Sequence, residues 1–150
     1  MKEYHKMPVA ELAYAAGLID GEGCIRIGKY TDHKTQELRY RGQLSIGMTS
    51  RAAVEWMRDR MGGNFYIYRT SYDKAKPAYN WTMRSTEAAA LLSAILPHLI
   101  IKREQALLLI EFAETVHQCW GRRGMPAGLN DRRAAMAGQS LALNRKGIAA

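Results

Sequence analysis

The nine residues Ala15-Ala16-Gly17-Leu18-Ile19-Asp20-Gly21-Glu22-Gly23 constrain this chain more than any other stretch. An apolar, small-residue helix ends there in carboxylates and glycines, then runs directly into the strand-like Cys24-Ile25-Arg26-Ile27. The last carbonyls of a helix lack intrahelical partners and carry partial negative charge, so acidic side chains beside them call for something positive close by. A divalent cation answers that requirement, because hard ions such as Mg²⁺ take carboxylate, carbonyl and water oxygens. Small residues also recur at i, i+4 spacing at Ala13, Gly17 and Gly21. They make a flat stripe along one helix face that lets a second backbone approach closely. Val9 begins the same row but is bulkier, which confines close approach to the last two turns.

A chain of 150 residues has room for one domain with a substantial core, and too little for two ordinary ones. Its formal charge of +8 points to a polyanionic partner. The basic residues are interleaved with aromatics along strand-like segments, which favours nucleic acid over an anionic membrane surface. No lipidation signal, signal peptide or long apolar run appears, so a cytoplasmic or organellar-matrix location, away from membranes, is expected. Cys24 and Cys119 form no CxxC pair and no zinc-ligand spacing, and read as reduced packing residues.

Hydrophobic periodicity and breakers predict a helix over Ala10 to Asp20, then strands Cys24 to Tyr30 and about Glu37 to Met48. A helix Arg51 to Met61, with Val54, Met57 and Met61 as its apolar stripe, is stopped by Gly62-Gly63. Strands Asn64 to Tyr72 and Tyr79 to Arg84 follow. Thr86 is expected to cap a helix from Glu87 to Leu96 ended by Pro97, and a further helix runs from Ile101 to about Cys119. Beyond Gly121 the chain is rich in Gly and Arg, with a short helix around Arg132 to Leu143. The expected class is α+β, with helices on one face of an antiparallel sheet and the other face free to bind.

With these elements in place, Ala15 to Gly23 resembles the motif of the LAGLIDADG homing endonucleases, with Gly17, Asp20 and Gly23 in position and Glu22 as the second acidic residue. The αββαββα order resembles that family's fold from about Pro8 to Cys119. Pro97-His98-Leu99-Ile100-Ile101-Lys102-Arg103-Glu104-Gln105-Ala106 is similar to a later family segment, in which a lysine follows a proline-containing turn before the last core helix. The resemblance implies an endonuclease domain over residues 1–120 with a basic extension over 121–150. It also implies a site-specific, metal-dependent double-strand break in a long pseudo-palindromic DNA, with short 3′ overhangs and a role in mobility of an intron or similar element. Mg²⁺, or another divalent cation such as Mn²⁺, would be held by Glu22 and the Gly21 carbonyl. Lys102 would stabilise charge or join the proton network, and Asp20 would be structural, bonding backbone near the helix end. Gly23 is expected to take positive φ and turn the chain into the sheet. One motif per chain implies a homodimer meeting through Ala13, Gly17, Asp20 and Gly21, because one helix supplies only half of a paired site.

The strand alternation assigns the DNA surface to Arg26, Gly28, Tyr30, Arg39, Arg41, Gln43, Ser45, Tyr66, Tyr68 and Thr70, joined by Arg103 as a phosphate clamp. Ile25, Ile27, Tyr40, Leu44, Ile46, Phe65 and Ile67 face the other way. On the fourth strand Tyr79, Trp81 and Met83 look like the core set, leaving Asn80, Thr82 and Arg84 outward. Arg122, Arg123, Arg132, Arg133, Arg145 and Lys146 could clamp DNA backbone outside the sheet's footprint. The family commonly places a glutamine near the end of the second strand to orient water. Here that region reads Ile46-Gly47-Met48-Thr49-Ser50-Arg51, with Thr49, Ser50 or Arg51 as substitutes. Two rivals stand beside the nuclease: a catalytically silent nucleic-acid-binding protein of the same fold, such as an RNA maturase or transcription factor, and a protein in which the small-residue helix is only a dimerisation device.

Overall fold

Helix α1 (Val9–Glu22) buries Leu12, Ala15, Ala16 and Ile19 on one face and leaves Ala13, Gly17 and Gly21 exposed on another. The computed structural model describes residues 2–69, 76–119 and 124–145. The helix passes without a loop into strand β1 (Gly23–Thr31). Gly23 makes that junction, but its backbone is extended, with φ −79° and ψ 154°, and so the expected positive φ is corrected. Glycine is needed there for close approach: a Cβ at Gly23 would lie 2.5 Å from the Ile19 carbonyl oxygen and 2.8 Å from the Ile19 Cα.

Strand β1 pairs antiparallel with β2 (Leu38–Met48), from Gly23 opposite Ile46 to Thr31 opposite Leu38. Asp32 organises the intervening turn by accepting the N–H groups of Lys34 at 2.8 Å and Thr35 at 3.3 Å. Helix α2 (Arg51–Met61) starts where Ser50 Oγ accepts the Ala53 N–H, and it buries Val54, Met57 and Met61. Gly62 and Gly63, at φ +85° and +82°, end it. Strands β3 (Asn64–Tyr68) and β4 (Ala78–Arg84) complete a sheet of order β1-β2-β4-β3. β3 ends before the expected Tyr72, and residues 70–75 lie outside the described residues.

β4 runs straight into α3 (Ser85–Ile95), so Thr86 is inside the helix and Arg84, not Thr86, occupies the N-cap position. A 3₁₀ turn, Leu96–His98, follows, and α4 (Arg103–His117) begins after Lys102. The inner sheet face aligns Ile25, Leu44 and Met83 in one row and Ile46, Trp81 and Phe65 in the next. Helices α1 to α4 cover these rows, and Trp81 and Phe112 are fully buried. The outcome is the expected α+β architecture, with helices on one side of an antiparallel sheet.

Helix α5 (Leu129–Leu143) begins three residues earlier than the charge pattern suggests and packs on α4 and β1. Ser140 Oγ accepts the Ile27 N–H at 2.9 Å, and Asn144 Nδ2 donates to the Ile25 carbonyl at 2.9 Å. Side chains of the C-terminal segment therefore satisfy two backbone groups on the outer edge of β1, where no strand pairs. Arg133 is corrected from a DNA-clamp candidate to an internal residue. Only 6% exposed, it donates to Thr115 Oγ1 at 2.9 Å and the Thr115 carbonyl at 2.8 Å, and lies over the Phe112 ring. Arg132 pairs instead with Glu111 at 3.0 Å on the surface. Arg122, Arg123 and Lys146 lie outside the described residues.

Gly23→Ala is expected to destabilise the protein by about 1–3 kcal/mol through overpacking against Ile19, lowering the midpoint of thermal unfolding by roughly 3–10 °C. An unchanged melting curve would show that the helix–strand junction can relax.

Candidate nucleic-acid interface and acidic helix end

The positive charge demanded at the end of α1 comes first from within the chain. Lys102 Nζ donates to the carbonyls of Ile19 at 3.0 Å and Asp20 at 2.6 Å. An ammonium on unpaired C-terminal carbonyls satisfies their hydrogen-bonding capacity and opposes the negative end of the helix dipole. The Asp20 carboxylate completes the exchange. Its Oδ2 accepts the Ile100 N–H at 2.7 Å, and its Oδ1 accepts those of Ile101 at 3.1 Å and Lys102 at 3.0 Å. Asp20 thus bonds backbone at the helix end, as expected, but that backbone comes from the segment leading into α4. Both of its oxygens are engaged inside the chain, which leaves Ala13, Gly17 and Gly21 as the open part of the expected α1 contact set.

Glu22, the last residue of α1, is exposed, and Gly21 beside it is exposed too. The Gly21 carbonyl lies in the same final turn, where the residue at i+4, Ile25, already belongs to β1. Carboxylate and carbonyl oxygens are the donor chemistry of a hard divalent cation, so this pair fits Mg²⁺ or Mn²⁺. Among the described residues, no group of three or more His, Cys, Asp or Glu side chains is arranged to hold a metal, and of the two carboxylates at this helix end Asp20 is taken up by backbone N–H groups while Glu22 is exposed. No heavy atom lies within 4 Å of a Cβ built at Gly17 or Gly21, which leaves the small-residue stripe open to a partner.

The outward sheet face begins beside this helix end. Strand register places Cys24, Ser45, Thr82 and Asn64 in one row, then Arg26, Gln43 and Arg84, then Gly28 and Arg41, then Tyr30 and Arg39. Arg26 Nη2 donates to Gln43 Oε1 at 2.9 Å, and the Arg41 guanidinium lies over the Tyr30 ring at 4.7 Å. Arg39 pairs with Glu37 at 2.7 Å. Tyr66 and Tyr68 are exposed on the far strand, while Thr70 lies outside the described residues. The fourth strand has the alternation expected of it. Thr82, expected outward, is however buried between Ser45 and Asn64, and Arg84, expected outward, extends the row of Arg26 and Gln43. Ile67, expected on the core face, is 41% exposed on the outermost strand. Arg103 has one guanidinium nitrogen committed to the Leu96 carbonyl at 2.8 Å and is otherwise exposed.

Most of the chain aligns with the backbones of solved DNA-bound proteins. The homing endonuclease I-CvuI, in complex with its target in the presence of calcium, aligns with a TM-score of 0.75 at 18% identity, over 94% of this chain and 86% of that one. An archaeal intron-encoded homing endonuclease, I-Vdi141I, complexed with DNA, gives 0.72 at 18% identity, over 92% and 86%. This is the LAGLIDADG homing-endonuclease fold. The LAGLIDADG enzyme I-GzeII, also bound to a DNA target, matches at 0.66 and 14% identity over 84% of this chain but only 43% of its own length. Comparison with protein-family models and with curated proteins yields no match. No helix among the described residues is long and apolar enough to cross a membrane.

Loss of the Asp20 bonds should be measurable apart from any activity. Asp20→Ala is expected to cost about 1–2 kcal/mol of stability, the range for removing a cap, and to speed hydrogen exchange at the Ile100, Ile101 and Lys102 amides. Unchanged protection at those three amides would contradict the geometry.

Proposed function

We propose that this chain is a site-specific, divalent-metal-dependent DNA endonuclease that works as a homodimer on a long, pseudo-palindromic duplex. One observation carries the reading: an open small-residue helix face leads to exposed Glu22, and Lys102 is docked on the same helix end. Two copies meeting along Ala13, Gly17 and Gly21 would bring two Glu22 carboxylates together about a two-fold axis, with two outward sheet faces forming one long basic surface. A +8 charge on each chain suits such a polyanion. The DNA-bound neighbours of the same fold support this reading.

A Mg²⁺ ion held by Glu22 and the Gly21 carbonyl would supply a polarised phosphoryl oxygen and a water of lowered pKa. The chain's own groups do the positioning. Lys102 spends two of its three donors on the α1 carbonyls, which fixes the ammonium, and would use the third on charge that develops at the phosphate. Asp20 holds the backbone of Lys102 in place and so sets where that ammonium sits. Arg103 offers its remaining guanidinium nitrogens to a phosphate. The sheet rows supply base-edge donors from Arg26, Arg41 and Gln43.

Glu22→Gln should bind a selected cognate duplex in Ca²⁺ as well as wild type does, and should lose cleavage in Mg²⁺ by at least ~10³-fold. Cleavage surviving in that variant would sink the assignment of Glu22. Gly17→Leu tests the assembly. The space around Gly17 is empty, so the monomer should keep its melting temperature, while sedimentation on cognate DNA should show one chain per half-site without pairing. Wild-type protein that stays monomeric on its duplex would exclude the symmetric pair.

The silent DNA- or RNA-binding reading has its own support at the end of β2. Ser50 is used as the α2 cap and Arg51 pairs with Glu55 at 3.0 Å, so two of the three residues able to replace a water-orienting glutamine are engaged. Tight duplex binding by wild type with no cleavage in Mg²⁺ or Mn²⁺ would decide for it.

A further inference from the structure

Gln43 occupies the middle of the outward sheet row nearest the Glu22 end that carries charge. Arg26 stands opposite it on β1 and Arg84 opposite it on β4. Arg26 Nη2 donates to Gln43 Oε1 at 2.9 Å. Both flanking residues are guanidinium donors without an acceptor, so the amide oxygen is the atom either of them must use. A free glutamine reads adenine by donating to N7 and accepting from the N6 amino group. With its oxygen turned to Arg26, Gln43 has the accepting half of that exchange aimed away from a base and partly used. Arg26 keeps donors for the paired O6 and N7 acceptors of guanine, and a side chain pinned before binding loses less freedom on contact.

Resting on the reading of this sheet as a DNA surface, we propose that Arg26 and Gln43 act as one guanine-reading unit, with Gln43 as the positioning residue. Outward rows are ~6.6 Å apart along a strand, or about two base-pair steps along a groove. The row lies closer to the Glu22 end than the Arg41 and Tyr30 rows. The guanine column therefore lies nearer the centre of the target than the columns set by Arg41.

The test is selection of bound duplexes from a randomised library in Ca²⁺ by the full chain, repeated with Arg26→Ala, Gln43→Ala and Arg41→Ala. Wild type should enrich guanine in one column of each half-site. Arg26→Ala should lower the guanine-to-adenine ratio in that column by ~10-fold or more, through loss of the paired contact to O6 and N7. Gln43→Ala should weaken the guanine preference in the same column several-fold and bring in no new base. Arg41→Ala should leave that column alone and act further from the centre. The proposal is overturned if Arg26→Ala and Gln43→Ala alter different columns. It is equally overturned if both weaken all sequences alike, the mark of phosphate contacts. Failure of wild type to enrich any duplex is a different result: it removes the DNA reading itself and this assignment with it.

Discussion

The exchange between the end of α1 and the start of α4 is the constraint on which the rest of the structure depends. Asp20 gives its carboxylate to three N–H groups ahead of α4, and Lys102 returns its ammonium to two carbonyls at the end of α1. The Lys102 half supplies donors and positive charge to the end of α1, and the Asp20 half satisfies three N–H groups of the turn that leads into α4. The chain needs both at once. The last turn of α1 must hold its shape while carrying exposed Glu22, and α4 must begin in register so that Leu109 and Phe112 reach the core. A single bonded junction therefore ties the acidic site to the packing of the inner sheet face.

Much of this was legible before the structure. Strand alternation separates Ile25, Leu44 and Trp81 from Arg26, Gln43 and Arg84, because a half-buried strand must alternate. The stop at Gly62-Gly63 was equally legible, since those glycines adopt φ values that other residues resist. What sequence spacing could not reveal were bonds between distant segments. Asp20 and Ile100 are 80 positions apart, and nothing local marks them as partners. The Gly23 junction was read for the wrong reason. Local rules favour a left-handed residue after a helix, whereas the true demand is tertiary: no side-chain atom fits against Ile19.

The C-terminal segment shows the same limit from the other direction. Composition makes Arg133 one more cation in a basic tail, yet its guanidinium is buried against Thr115 and Phe112. Its donors are turned inward onto backbone and hydroxyl acceptors rather than presented to a phosphate. Arg84 presents the opposite case. Its strand has a mixed pattern, and only pairing with β2 reveals that it extends the row begun by Arg26 and Gln43.

The Ser140 and Asn144 bonds to β1 have a consequence for colloidal behaviour. An outermost strand whose N–H and C=O groups are unpaired is a template for strands of other molecules. Here the Ile27 N–H and the Ile25 carbonyl are occupied by side chains of α5 and its C-cap, which cannot propagate a sheet. A chain cut short before α5 would regain that sticky edge and uncover Phe112 and Thr115 beside it. Such a fragment would be expected to precipitate rather than simply bind less tightly.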